Sequence, residues 1–154
     1  MLRNKEEEFI IHLRRDSRMT LKELSRKTTI PISTLHDKLK KFQNEFIIKH
    51  SSLIDFKKIG YSARANIIIK VNAEEKECLK EYLLTHKNIN NMFRINNGYD
   101  FLLDVIFKDI EDSEKFIEEL ETDFKIKKIE VHYLISNLKT EEFLTCLQEK
   151  KYLI

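Results

Sequence analysis

Apolar residues recur along this chain with two different periods. In its first third they fall three or four positions apart: Phe9, Ile10 and Leu13, then Leu21 and Leu24, then Leu35, Leu39 and Phe42. That spacing gathers each set on one face of a helix. It predicts a first helix over Asn4–Arg15, capped by Asn4, and two further helices between Thr20 and Phe42. From Tyr61 the period becomes two. Tyr61, Ala63, Ala65, Ile67, Ile69 and Val71 alternate with Arg64, Asn66, Ile68 and Lys70, as a strand with one buried face requires. Phe101, Leu103, Val105 and Phe107 repeat the pattern, as do Ile129, Val131, Tyr133 and Ile135. Ile89–Ile95 reads as a further strand, joined to the next by the turn signal Asn96-Asn97-Gly98. Helical stripes fall between the strands: Leu79, Tyr82 and Leu83, and later Phe116, Ile117, Leu120 and Phe124, the second helix capped by Ser113. The order βαββαβ is that of a ferredoxin-like split unit. A last helix is predicted over Thr140–Gln148.

The segment Thr20–Phe42 carries the densest local information. Thr20 and Glu23 have the spacing of a capping box. Thr28 and Thr29, poor helix formers, end that helix, and Pro31 suits the start of the next. Two short helices joined by a tight turn, the second with a polar and basic outer face, form the pattern of a helix-turn-helix. Ser33, Thr34, His36, Asp37 and Lys40 are the candidates to face a DNA groove, where their side chains can donate to or accept from base edges. Arg26, Lys27, Lys38 and Lys41 are the candidate phosphate contacts. Phe46–Ile48 and Leu53–Phe56 read as two short strands of a wing. The expected fold is therefore α+β: an N-terminal winged helix-turn-helix domain over residues 1–60, Gly60 marking the boundary, and a C-terminal ferredoxin-like βαββαβ domain over residues 61–154.

One face of the predicted sheet is covered by the two helices. The other carries Ile68, Leu102, Ile106 and Leu134 beside Asp104 and His132. It is too apolar to stand in water, so a second subunit is expected to cover it.

Composition narrows the function further. Residues 1–60 hold 14 Lys and Arg against 8 Asp and Glu, a net +6, whereas residues 61–154 are net −4. A basic module joined to an acidic one fits a part that meets nucleic acid and a part that does not. With glycine only at Gly60 and Gly98, neither a P-loop nor a dinucleotide fingerprint can be built. No Cys/His cluster has metal spacing, and neither metal nor cofactor is expected. Cys78 and Cys146 are expected as reduced thiols, buried or half-buried in helices. Without an apolar run of membrane length or a leader-like N-terminus, the expected location is the cytoplasm.

A three-helix head, a wing and a βαββαβ body in this length resemble the Lrp/AsnC family, the feast/famine regulators. LKELSRKTTIPISTLHDKLKKF is similar to the family's helix-turn-helix, and NGYDFLLDVIF to its glycine hairpin between the second and third strands. The resemblance implies a sequence-specific DNA-binding transcription regulator and not an enzyme. It also implies a homodimer built through the body, often a tetramer or octamer, and an amino-acid or related effector at an interface near the hairpin. Carried over, the recognition helix is Ile32–Phe42 and the effector site Asn96, Asn97, Gly98, Tyr99 and Asp100. The backbone near Gly98 would receive the effector's carboxylate and Asp100 would help fix its ammonium. The chain departs from the family pattern at three positions. Thr29 stands where glycine is common in the turn, Pro31 where serine is, and Lys38 where arginine is, which favours a phosphate over a guanine as the partner of Lys38. Two other functions fit the scaffold: an architectural DNA-coating protein, and a haem-pathway decarboxylase. The latter needs Arg and His converging on a pocket, whereas the body has only Arg64, Arg94, His86 and His132 and no nucleophile–base pair at telling spacing.

Overall fold

The computed structural model describes residues 4–146, with side chains from Glu6 onward. The chain forms two compact units, Met1–Leu53 with Leu138–Ile154, and Ile54–Asn137. These bounds differ from the expected division at Gly60. Phe56–Ile59 is a short 3-10 turn, closed by Gly60 at φ 94°, and the Tyr61 N–H bonds back to the Phe56 carbonyl. That turn leads into the strands and belongs with them.

The first unit contains α1 (Asn4–Arg15), α2 (Leu21–Thr28) and α3 (Ile32–Glu45). Phe9, Leu24, Ile30, Leu35 and Phe42 form its core, with the Phe9 and Phe42 ring centroids 5.4 Å apart. The expected capping box is present: the Thr20 hydroxyl accepts from the Glu23 N–H, and the Glu23 carboxylate accepts from the Thr20 N–H at 2.9 Å. The segment after Leu138 returns to this unit. The Arg14 guanidinium donates to the carbonyls of Glu141 (2.9 Å) and Phe143 (3.0 Å), and Arg15 donates to that of Thr145.

The second unit contains β1 (Ala63–Val71), α4 (Lys76–Thr85), β2 (Ile89–Arg94), β3 (Phe101–Phe107), α5 (Ile110–Asp123) and β4 (Ile126–Tyr133). The four strands form one antiparallel sheet in the order β2-β3-β1-β4. Leu79 and Leu83 of α4 and Phe116 and Leu120 of α5 pack with the alternate residues of β1 and β3, among them Ile67, Ile69, Leu103 and Val105. This is the buried face that period-two alternation called for.

Several local expectations are corrected. Neither segment read as a wing is a strand: Ile48 is fully exposed, Leu53 and Ile54 are exposed, and Phe56 opens the 3-10 turn. A run of three or four apolar residues does not make a strand without a buried surface to hold it, and an isolated ribbon is marginal in water. Asp109, not Ser113, caps α5, accepting from the Asp112 N–H at 2.9 Å; Ser113 is buried inside the helix. Residues 140–146 are not helical, and the rest of the helix predicted over Thr140–Gln148 lies outside the described residues. Both cysteines are exposed. The buried stripe of α4 runs through Leu79, and Cys78, one residue earlier, is turned about 100° away from it.

Candidate nucleic-acid interface and effector hairpin

The turn between α2 and α3 is made by an unusual residue. Thr29 ends α2 in the left-handed conformation, at φ 57° and ψ 23°. Glycine adopts this region freely, whereas a β-branched side chain is strained there. Three side chains brace the turn: the Ser25 hydroxyl donates to the Ile30 carbonyl (2.6 Å), Thr28 to the Leu24 carbonyl (2.8 Å) and Thr29 to the Thr28 carbonyl (2.7 Å). Pro31 follows at φ −56°, and the Leu35 N–H bonds to its carbonyl.

With Leu35 and Phe42 buried, the opposite side of α3 is fixed by helical geometry. Ser33, Asp37 and Lys40 stand on that side, flanked by Thr34, His36 and Lys41, and all are exposed. Asn44 shares the same side, eleven residues after Ser33, and is also exposed. The apolar stripe ends at Phe42, so the spacing of apolar residues carries no signal for it. Arg26 and Lys27 are exposed at the end of α2. Lys38 is different. Its ammonium lies 2.9 Å from the Glu6 carboxylate of α1, and both side chains are largely buried. At its position on the helix it borders the core, so its charge is neutralised within the unit instead of facing outward.

The hairpin between β2 and β3 has Asn97 at φ 60° and Gly98 at φ 86°. Two successive positive φ values are what a tight type I′ connection demands. Asn96, Asn97 and Gly98 are exposed, Tyr99 is half-buried and Asp100 is 4% exposed. The Asp100 carboxylate is already engaged. It accepts from the Lys76 ammonium (2.5 Å) and the Val71 N–H (3.1 Å), and lies 3.3 Å from Lys70. Burial alone would raise its pKa, but Lys76, the Val71 amide and Lys70 outweigh it and bring the value down to about 2. Beside the hairpin, the Tyr99 hydroxyl donates to Glu130 (2.5 Å), and Lys128 reaches both groups. Together Lys128 and Tyr99 lower the pKa of Glu130 to about 2.

The sheet face away from the helices is partly open. Ile68, Leu102 and Leu134 are half-buried, Ile106 is buried, and Phe93, opposite Leu102, is 53% exposed. His132 on this face is exposed. Asp104 is buried in its midst and accepts from Arg64 (2.7 and 2.9 Å), Asn90 (2.7 Å) and Asn91 (2.8 Å).

The family model described as the Lrp/AsnC ligand binding domain matches residues 64–143, more than half of the chain. The chain belongs to the Lrp/AsnC family. Two Lrp/AsnC-like relatives are the HTH-type transcriptional regulators LrpC of Bacillus subtilis and FL11 of Pyrococcus abyssi. LrpC is 28% identical over 110 residues, covering 71% of this chain and 76% of the relative. FL11 is 27% identical over 107 residues, covering 69% and 71%. The solved structure of LrpC superposes with a TM-score of 0.81 at 25% identity, over 91% of this chain and 99% of that one. A Neisseria meningitidis transcriptional regulator in complex with L-Met superposes with a TM-score of 0.84 over 91% and 94%; at 15% identity this is a likeness of fold.

Proposed function

We propose that this Lrp/AsnC-family chain is a transcription regulator that binds duplex DNA in a sequence-specific way as a homodimer. The observation that carries the reading is the outer side of α3. Ser33, Asp37 and Lys40 project from it opposite the core, behind a braced turn of helix-turn-helix form. A helix of this length fits the major groove. Lys40 and Lys41, with Arg26 and Lys27 of α2, supply charge for phosphates, and Ser33, Thr34, His36 and Asn44 supply donors and acceptors for base edges.

The dimer reading rests on Phe93, Leu102 and Ile68, which run side by side across the open sheet face. An apolar stripe of this kind, lying beside a saturated Arg64–Asp104 pair, suits a second copy of the same sheet. Two heads so joined would read half-sites roughly 34–36 Å apart.

The hairpin is proposed as the effector site, its ligand an amino acid or related metabolite. The exposed backbone of Asn96, Asn97 and Gly98 is open to a carboxylate. Asp100 is assigned a positioning role, since Lys70 and Lys76 occupy its oxygens and an ammonium must look to a partner copy instead. Selection of bound duplexes from a random pool tests the reading directly. Recovery of a two-fold symmetric site with that half-site spacing supports it; an unenriched pool at low salt removes it.

A further inference from the structure

We infer that the body carries a second small-molecule site, at the opposite end of β3 from the hairpin, built for a monocarboxylate with an aromatic or branched apolar body. A cavity of about 910 Å³ opens there. Its apolar lining includes Phe56, Tyr61, Ile89, Ile106, Phe107 and Phe116. Phe107 pairs with Ala63 where β1 begins, while Phe101, next to the hairpin, lies six residues away along the same strand. At the rise of a strand the two ends are about 20 Å apart, too far for one small ligand to span.

The polar part of the lining is rich in donors. His86 stacks on Phe116 with centroids 4.5 Å apart, and its Nδ1 accepts from the Asn88 N–H at 3.3 Å. The proton of the neutral ring therefore sits on Nε2, which is left as a donor. Asn88 is itself fixed to β3: its side-chain amide donates to the Ile106 carbonyl (2.7 Å), and its carbonyl accepts from the Ile106 N–H (2.9 Å). Lys87 and Lys108 line the same cavity, and neither ammonium has a carboxylate within ion-pair distance among the described residues. Lys115 is different, held by Glu111 at 2.8 Å and near Asp112.

The ligand class follows from what each alternative would leave unsatisfied. A hydrocarbon would strip water from His86 and two ammonium groups without replacing it. An inorganic anion would leave the aromatic walls wet. An organic cation would meet Lys87, Lys108 and Lys115, with Glu119 and the Asp112 already beside Lys115 as the only carboxylates in the lining among the described residues. A carboxylate joined to a ring or a branched chain satisfies both halves, and the volume falls within the range of ordinary small-molecule pockets.

The test uses the full-length protein and amide spectra recorded by NMR, with phenylpyruvate as the probe and phenethylamine and phosphate as comparators. Saturable shifts at His86, Asn88 and Lys108 with phenylpyruvate alone are expected. Affinity should fall about tenfold or more in the double variant Lys87→Glu, Lys108→Glu, which alters only exposed side chains. It should persist in Gly98→Val, which separates this site from the hairpin. Silence at millimolar probe overturns the inference. So do shifts confined to Asn96–Asp100, an equal response to phenethylamine or phosphate, or a double variant that binds as well as the parent.

Discussion

Lys38 of α3 and Glu6 of α1 meet at 2.9 Å, so a lysine of the helix proposed to read DNA serves to lock two helices together. Lys40, two residues on, is turned outward. The pair makes a clean contrast. Lys40→Ala is expected to weaken operator binding and to reduce the slope of log affinity against log salt by about one, with stability unchanged. Lys38→Ala is expected to cost about 1–2 kcal/mol of stability and to leave that slope alone. Binding titrations at several salt concentrations, beside urea melts, distinguish the two.

Thr29 is held at positive φ by its surroundings. Thr29→Gly relieves a strain of about 1–2 kcal/mol and loosens the unfolded chain by somewhat less, for a net stabilisation of about 0.5–1 kcal/mol. Thr29→Val keeps the branching and removes the hydroxyl, so it should destabilise. Opposite shifts in urea midpoint are the expected result; two shifts of the same sign would show that the turn does not constrain α2 and α3 as described.

Asp100 gives the body a dependence on acid. Its pKa is depressed to about 2 from an ordinary 3.8, so the unfolded chain binds the proton more readily than the folded one. The carboxylate's contribution is fully present above about pH 4 and is lost as pH falls through that value towards 2. Asp100→Ala should cost about 3 kcal/mol near neutrality, because Lys70, Lys76 and the Val71 amide lose their shared acceptor. Urea midpoints of parent and variant should converge as pH approaches 2. A gap that stays constant across the range would contradict the assignment.

Phe93 lies on the open sheet face, opposite Leu102. On the proposed homodimer, Phe93→Asp is expected to give a monomer in sedimentation velocity without unfolding, since the residue is half exposed in the single subunit. Operator affinity should fall with it, because two half-sites are then no longer read together. A variant that sediments like the parent would move the dimer interface elsewhere.

Legibility varied with the length of the pattern. β1 alternates over nine residues with no interruption, and its period placed every side chain on the correct face. The capping box at Thr20 was readable because both partners lie within four residues. The supposed wing failed for the opposite reason: three apolar residues carry no period, and the decision fell to the absence of any buried surface near Ile48. Lys38 and Asp100 have partners that spacing does not record. Glu6 lies thirty-two residues from Lys38, and Lys70 and Lys76 lie thirty and twenty-four from Asp100, so nothing local announced that these charges were spoken for. The cavity beside His86 escaped for a similar reason, its walls coming from four separate stretches of chain.

Arg14 and Arg15 grip main-chain oxygens of residues 141, 143 and 145. Every amino acid supplies that oxygen, so apart from the Glu141 carboxylate, which Arg14 also meets at 3.1 Å, the clasp places little demand on which side chains the segment carries. It constrains backbone shape instead, at Glu141 and Leu144, where φ is positive. Glycine or asparagine would suit the backbone at Leu144, whereas at Glu141 the same change would give up the carboxylate that Arg14 holds.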